Sequence, residues 1–159
     1  MKITVLAVGK LKEKYLKDGI SEYSKRLSRF CELEILEVDD EKAPEGMSEA
    51  QELQIKKNEA ERLVKRIKDG STVIILDVNA ESMSSEAFAQ KLNSFFISGV
   101  SHITFIIGGS LGLDAGLLKR SHVRLSLSKM TFPHQLTRLI LLEQVYRAFK
   151  IIKGETYHK

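Results

Sequence analysis

Two short stretches hold residues whose types and spacing could do chemistry. FIIGGSLGLD (105–114) runs an apolar segment into Gly108, Gly109 and Gly112 around Ser110, with Asp114 close behind. Gly108, Ser110 and Gly112 fit the GxSxG elbow of serine hydrolases, where a strand-to-helix turn presents a nucleophilic hydroxyl. That chemistry also needs an acid on a separate loop and then a histidine. Asp114 is four residues on in the same turn, Glu143 falls inside the last expected helix and Glu155 lies beside the tail, so no acid is placed to orient an imidazole for Ser110. The dinucleotide pattern GxGxxG fails at Ile107, and GxxxxGK[ST] fails because no lysine follows the glycines. What the glycines do allow is a backbone that approaches a ligand closely. The second stretch is LSLSKMTFPHQLTR (125–138), in which Pro133 suits the first position of a helix. His134 and Arg138, four apart, then share one helix face near its amino end, where an anionic or electron-rich group is favoured. Two structural roles stand beside this reading: His134 as a helix cap, and Arg138 as a salt bridge or carbonyl contact within helix packing.

Stepping outward from these residues, strands and helices alternate. KITVLAV (2–8) is a buried-strand run ending at Gly9, and a helix carrying Tyr15, Leu16, Tyr23 and Leu27 follows. LEILEV (33–38) reads as a strand with one exposed face. A charged helix is expected from about Ser48 to Asp69, with Leu53, Ala60, Leu63, Val64 and Ile67 as its apolar stripe and Gly70 as its stop. TVIILDVN (72–79) is the most continuous apolar strand, and Ser84 can cap the helix after it. HITFII (102–107), a short helix near 115–120, a strand HVRLSLS (122–128) and a final helix from Pro133 complete the chain. The pattern predicts an α/β domain with a mostly parallel sheet flanked by helices. Ligands in such sheets bind beyond the carboxyl ends of the strands, which is where both stretches fall. The last helix is apolar nearly all round, so it must be covered on more than one side; a second copy of the chain supplies that cover, and the expectation is a homodimer.

Composition limits the function classes. With 159 residues, 43% hydrophobic and 29% charged, the chain has the size and balance of one soluble domain. Its apolar runs are too short to cross a bilayer, and MKITVLAVGK lacks the length and cleavage site of a secretory signal, so the expected location is cytoplasmic, with no membrane partner. One cysteine, Cys31, excludes an internal disulfide and comes with no metal-binding spacing, so neither structural zinc nor another metal is expected. The net charge of +4 comes from the second half: beyond residue 113 there are nine Lys/Arg against three Asp/Glu. Such an excess suits a polyanion such as RNA, although a solvated basic face has the same composition. A non-catalytic ribosome-binding module is therefore an alternative to an enzyme, as is the hydrolase using Ser110.

IIGGSLGL, then LSLSKMTFPHQLTRLILLEQVYRAFKIIKGETYHK, resembles the RlmH family of SPOUT-class RNA methyltransferases. The likeness extends over the whole chain and includes the MKITVLAVGK start. It implies one SPOUT domain over 1–159 with a C-terminal trefoil knot in roughly 72–159, a homodimer, and S-adenosylmethionine as cofactor. The implied reaction is methylation at N3 of a pseudouridine in 23S rRNA, with the assembled ribosome preferred. By position, the resemblance places the donor among Leu76, Gly108, Gly109, Leu127, Ser128, Lys129, Met130, Thr131 and Phe132. It places His134 and Arg138 near the reacting groups, and makes Tyr157 and His158 a C-terminal clamp reaching the partner subunit's pocket. His158 or His134 would assist proton removal, Tyr157 would orient the base, and Arg138 with Arg147 or Lys153 would bind the RNA backbone.

Overall fold

A computed structural model describes all of residues 1–159. The element order is β1 (Lys2–Val8), α1 (Lys14–Leu27), β2 (Glu32–Val38), α2 (Glu49–Val64), β3 (Thr72–Leu76), α3 (Ser85–Ile97), β4 (His102–Ile107), α4 (Ala115–Leu118), β5 (Val123–Leu125) and α5 (His134–Ile152). The strands form one sheet in the order β2-β1-β4-β3-β5, and every pairing is parallel.

The two faces follow from the period-two alternation of strand side chains. Ile3, Val5 and Ala7 of β1, with Ile103, Phe105 and Ile107 of β4, join the larger core beneath α1, α3 and α5. Leu6, Val8, Val73, Ile75 and Ile106 face the other way, into a smaller core with Ala60, Leu63 and Leu117 from α2 and α4. Buried on both faces, β1, β3 and β4 read as continuous apolar runs in the sequence. Successive crossovers step one way across the sheet over one face and the opposite way over the other, as a single right-handed rule requires. At their carboxyl ends β1 and β3 therefore send the chain to one face while β4, between them, sends it to the other. The turn after β4 sits in the crevice this reversal opens.

Several boundaries differ from the sequence reading. β5 is three residues long, not seven, because beyond Leu125 only an isolated bridge from Ser126 to Ser82 continues the pairing. α2 stops at Val64 rather than running to Asp69, and Leu53 is exposed rather than part of its stripe. Ser48 caps α2 through a reciprocal pair with Gln51, and Ser84 caps α3 by accepting from Ala87 N–H. Pro133 is the extended residue just before α5 instead of its first helical one. α5 lies between α1 and α3 over the sheet, and every residue from His134 to Ile152 is buried or half-buried within its own chain.

Candidate functional site

The glycine turn is shaped by what surrounds it. A Cβ on Gly108 would stand 2.8 Å from Leu113 Cδ2 and 3.2 Å from Gly112 O. On Gly109 it would wedge between Glu59 Oε1 and Val8 Cγ1, each 3.2 Å away. Gly112 has φ +90°, a conformation that disfavours side chains, and its N–H donates to Gly109 O at 3.1 Å, closing the turn. The side-chain positions are thus filled by protein, while the backbone edge beyond β4 stays open. Ser110 is exposed and makes no hydrogen bond to a histidine, and Asp114 caps α4 by accepting from Leu117 N–H at 3.1 Å. A hydrolase relay through Ser110 has no acid and no base here.

Leu76 pairs with Leu125, so the end of β3, the turn after β4 and the chain leaving β5 lie along one edge. The segment after β5 is braced from within. Ser126 Oγ donates to Ser128 O at 2.8 Å, Met130 N–H donates to Ser128 Oγ at 3.0 Å, and Asp77 N–H donates to Leu125 O at 2.9 Å. The N–H groups of Gly108, Gly109, Leu127, Lys129 and Phe132 donate to no acceptor of the chain. All but exposed Lys129 are half-buried, where backbone donors rarely go unpaired, so the set suits the ring nitrogens and hydroxyls of a nucleoside. Beside the loop, Leu125, Leu127, Phe132 and Phe88 with Ser85 and Gln144 line a cavity of about 220 Å³. That is below the ~300–1,000 Å³ that encloses a drug-sized ligand, and leaves room for about one ring system.

His134 is half-buried with Nε2 3.8 Å from where a Cβ on Gly9 would lie. It makes no capping hydrogen bond, so the cap role is not realised. Burial, and then the charge of Arg138, hold its pKa below the ordinary histidine range, keeping the ring neutral at pH 7. Arg138 takes both structural roles at once. One guanidinium nitrogen pairs with Glu37, and the other donates to Gly9 O at 2.7 Å and Val8 O at 3.4 Å. Arg138 is 2% exposed. Glu37 in turn accepts from Leu11 N–H at 2.7 Å. Burial raises the Glu37 carboxyl, and the bonds from Arg138 and Leu11 more than offset this, leaving its pKa below the usual carboxylate range.

The tail lies against its own subunit. Tyr157 packs edge-on to Tyr146 at 4.9 Å, its hydroxyl meets Glu143 at 3.2 Å and Tyr23 at 3.4 Å, and the Arg147 guanidinium lies 4.8 Å from its ring centroid. Burial, then the Tyr23 contact, raise its pKa. His158 bridges Arg147, 3.1 Å from Nδ1, and Glu86, 2.6 Å from Nε2. Arg147 is 13 residues beyond His134 on α5, roughly 20 Å of helix. Within one chain the structure therefore gathers Leu76, Gly108, Gly109, residues 127–132 and His134 at the sheet edge, and holds Tyr157 and His158 farther along α5.

The sequence reading missed Gly9, Glu37 and Glu59, all of which frame that edge. Glu59 had left a trace: a carboxylate beside Ala60 and four residues before Leu63, on the face of α2 that turns inward.

Comparisons with known proteins agree with this geometry. The family model described as Predicted SPOUT methyltransferase matches residues 1–158. Ribosomal RNA large subunit methyltransferase H of Acetivibrio thermocellus is 66% identical over 159 residues, covering 100% of both chains. Proteins of the same description from Ruminiclostridium cellulolyticum and Bifidobacterium adolescentis are 67% and 58% identical, again over 100% of both chains. A solved structure of a probable methylase family protein from Haemophilus influenzae Rd KW20 shares the fold at a TM-score of 0.52, with 13% identity, 99% of this chain covered and 70% of that one.

Proposed function

Because the chain belongs to the SPOUT methyltransferase family, we propose that it methylates large-subunit ribosomal RNA, moving the methyl group of S-adenosylmethionine to N3 of a pseudouridine in 23S rRNA. The observation that carries this is the 66% identity, end to end, with a protein described as ribosomal RNA large subunit methyltransferase H. The free backbone donors of Gly108, Gly109, Leu127, Lys129 and Phe132 support a nucleoside donor at the same edge.

Bound there, S-adenosylmethionine supplies a methyl carbon already activated by its sulfonium. The protein's part is to hold the base in line with that carbon and to accept the imide proton. Leu76, Gly108, Gly109 and residues 127–132 hold the donor. His134, neutral at pH 7 and beside Gly9, accepts the proton from N3. Arg138 positions His134 by tying the start of α5 to the end of β1. Tyr157 and His158 close over the base from the partner subunit of a homodimer; this requires them to leave the contacts with Glu143, Arg147 and Glu86. Lys129, exposed in the segment after β5, suits the RNA backbone. The chain is read as a single domain with the family's knot in residues 72–159, acting in the cytoplasm on assembled ribosomes.

The test is direct. S-adenosylmethionine at a hundredfold excess over its dissociation constant should stabilise the protein by about 2.7 kcal/mol in a thermal shift, and NAD and ATP should not. Large subunits from a strain lacking the enzyme should gain one methyl group at a pseudouridine, read by mass spectrometry of nuclease fragments. Donor binding without any methylated pseudouridine would sink the substrate assignment, and no donor binding would sink the reaction class.

A further inference from the structure

Glu59 is the one carboxylate buried in the chain, at 5% exposure. Its Oε2 accepts from Glu41 N–H at 3.0 Å, while Oε1 makes no hydrogen bond and faces Gly109, 3.2 Å from the position a Cβ would take. The nearby cation is already committed: Arg62 pairs with Glu41 at 2.6 Å and donates to Asp39 O at 2.9 Å. Oε1 has no donor or cation of its own in the chain and is not sealed from solvent, so it is open to an incoming cation. Burial raises its pKa, the Glu41 N–H and Arg62 pull it back, and the charges of Asp40 and Glu41 raise it further.

An incoming cation would relieve this arrangement. No group of three or more His, Cys, Asp or Glu is arranged to hold a metal ion, so a single free carboxylate oxygen points to an organic cation. The methyl donor carries two, a sulfonium and an α-ammonium. Only the ammonium has N–H groups to donate. From the open oxygen and its place beside the glycine turn, we infer that Glu59 binds the amino-acid end of the methyl donor, its Oε1 accepting from the α-ammonium past the bare edge of Gly109. The assignment rests on the donor reading above. It also gives position 109 a second reason to be glycine, since any side chain would stand between that oxygen and Val8.

Titration calorimetry with S-adenosylhomocysteine and with its analogue lacking the α-amino group tests this on the native chain and on Glu59→Gln. The native protein should prefer the amino form by roughly ten- to a hundredfold, the range of a buried charge-assisted hydrogen bond. Glu59→Gln should lose most of that preference while binding the analogue as the native chain does. Equal binding of both ligands by the native chain, or a preference that survives in Glu59→Gln, overturns the inference. So does a variant that weakens both ligands alike, which would make Glu59 a packing element of the turn. If Glu59→Gln does not fold, Glu59→Asp, which keeps the charge on a shorter arm, supports the same comparison. A native chain that binds neither ligand refutes the donor reading instead.

Discussion

Arg138 shows how a single side chain joins three elements. Its guanidinium links the start of α5 to Glu37 on β2 and to the carbonyls of Val8 and Gly9 at the end of β1, at the corner where His134 stands. One nitrogen, Nε, is buried without a partner, so the tie is made through the other two. Arg138→Ala leaves the Gly9 carbonyl without its side-chain donor and Glu37 with Leu11 N–H alone, and should cost about 3 kcal/mol in chemical denaturation. The same pair sets an acid limit. Glu37 has a folded pKa below its unfolded one, so its contribution is complete above the ordinary carboxylate range and disappears as the pH falls through the depressed value. Native protein should therefore lose stability below about pH 4.5, and Arg138→Ala should lack the part of that acid-dependent loss due to Glu37, as seen in denaturation curves across pH 3 to 6. His134 adds a loss at higher pH: its lowered pKa keeps it neutral in the fold, so stability falls as the pH drops below about 6.5. Cys31 plays no part in either range, since burial pushes its thiol up to about 11.

At the scale of elements, the tail is a short segment with unusually many polar ties. Tyr157 and His158 together engage Tyr23, Glu86, Glu143 and Arg147, which belong to three different helices. Half-exposed ion pairs of this kind are worth little individually, so the tail is held by the Tyr157 ring against Tyr146 more than by charge. Removing residues 155–159 should cost only about 1 kcal/mol of stability. If the tail closes the site of a partner, the same deletion should slow methyl transfer by about a hundredfold with donor binding intact. Unchanged turnover would show that the tail is only a strap along α5.

The whole molecule is built on one five-stranded sheet, with the glycine turn at the edge where successive crossovers leave on opposite faces. Exposed Met130 and Val78, 75% and 50% accessible, stand at that edge as apolar groups without cover. Sedimentation equilibrium at micromolar concentration should give twice the chain mass. A single chain that still methylates ribosomes would remove the partner's tail from the mechanism. The sequence alone determined the α/β class, the order of the strands along the chain and the glycine turn, because period-two and helical spacing are local properties written in neighbouring residues. It also marked His134 and the 127–132 segment, through a resemblance carried by contiguous motifs. Only the tertiary structure decided that α5 is enclosed by α1 and α3, that Arg138 is committed to Glu37 and Gly9, and that Glu59 stands behind Gly109. These depend on contacts between residues 50 to 130 positions apart in the chain, and no local pattern encodes which distant side chain will meet a given turn.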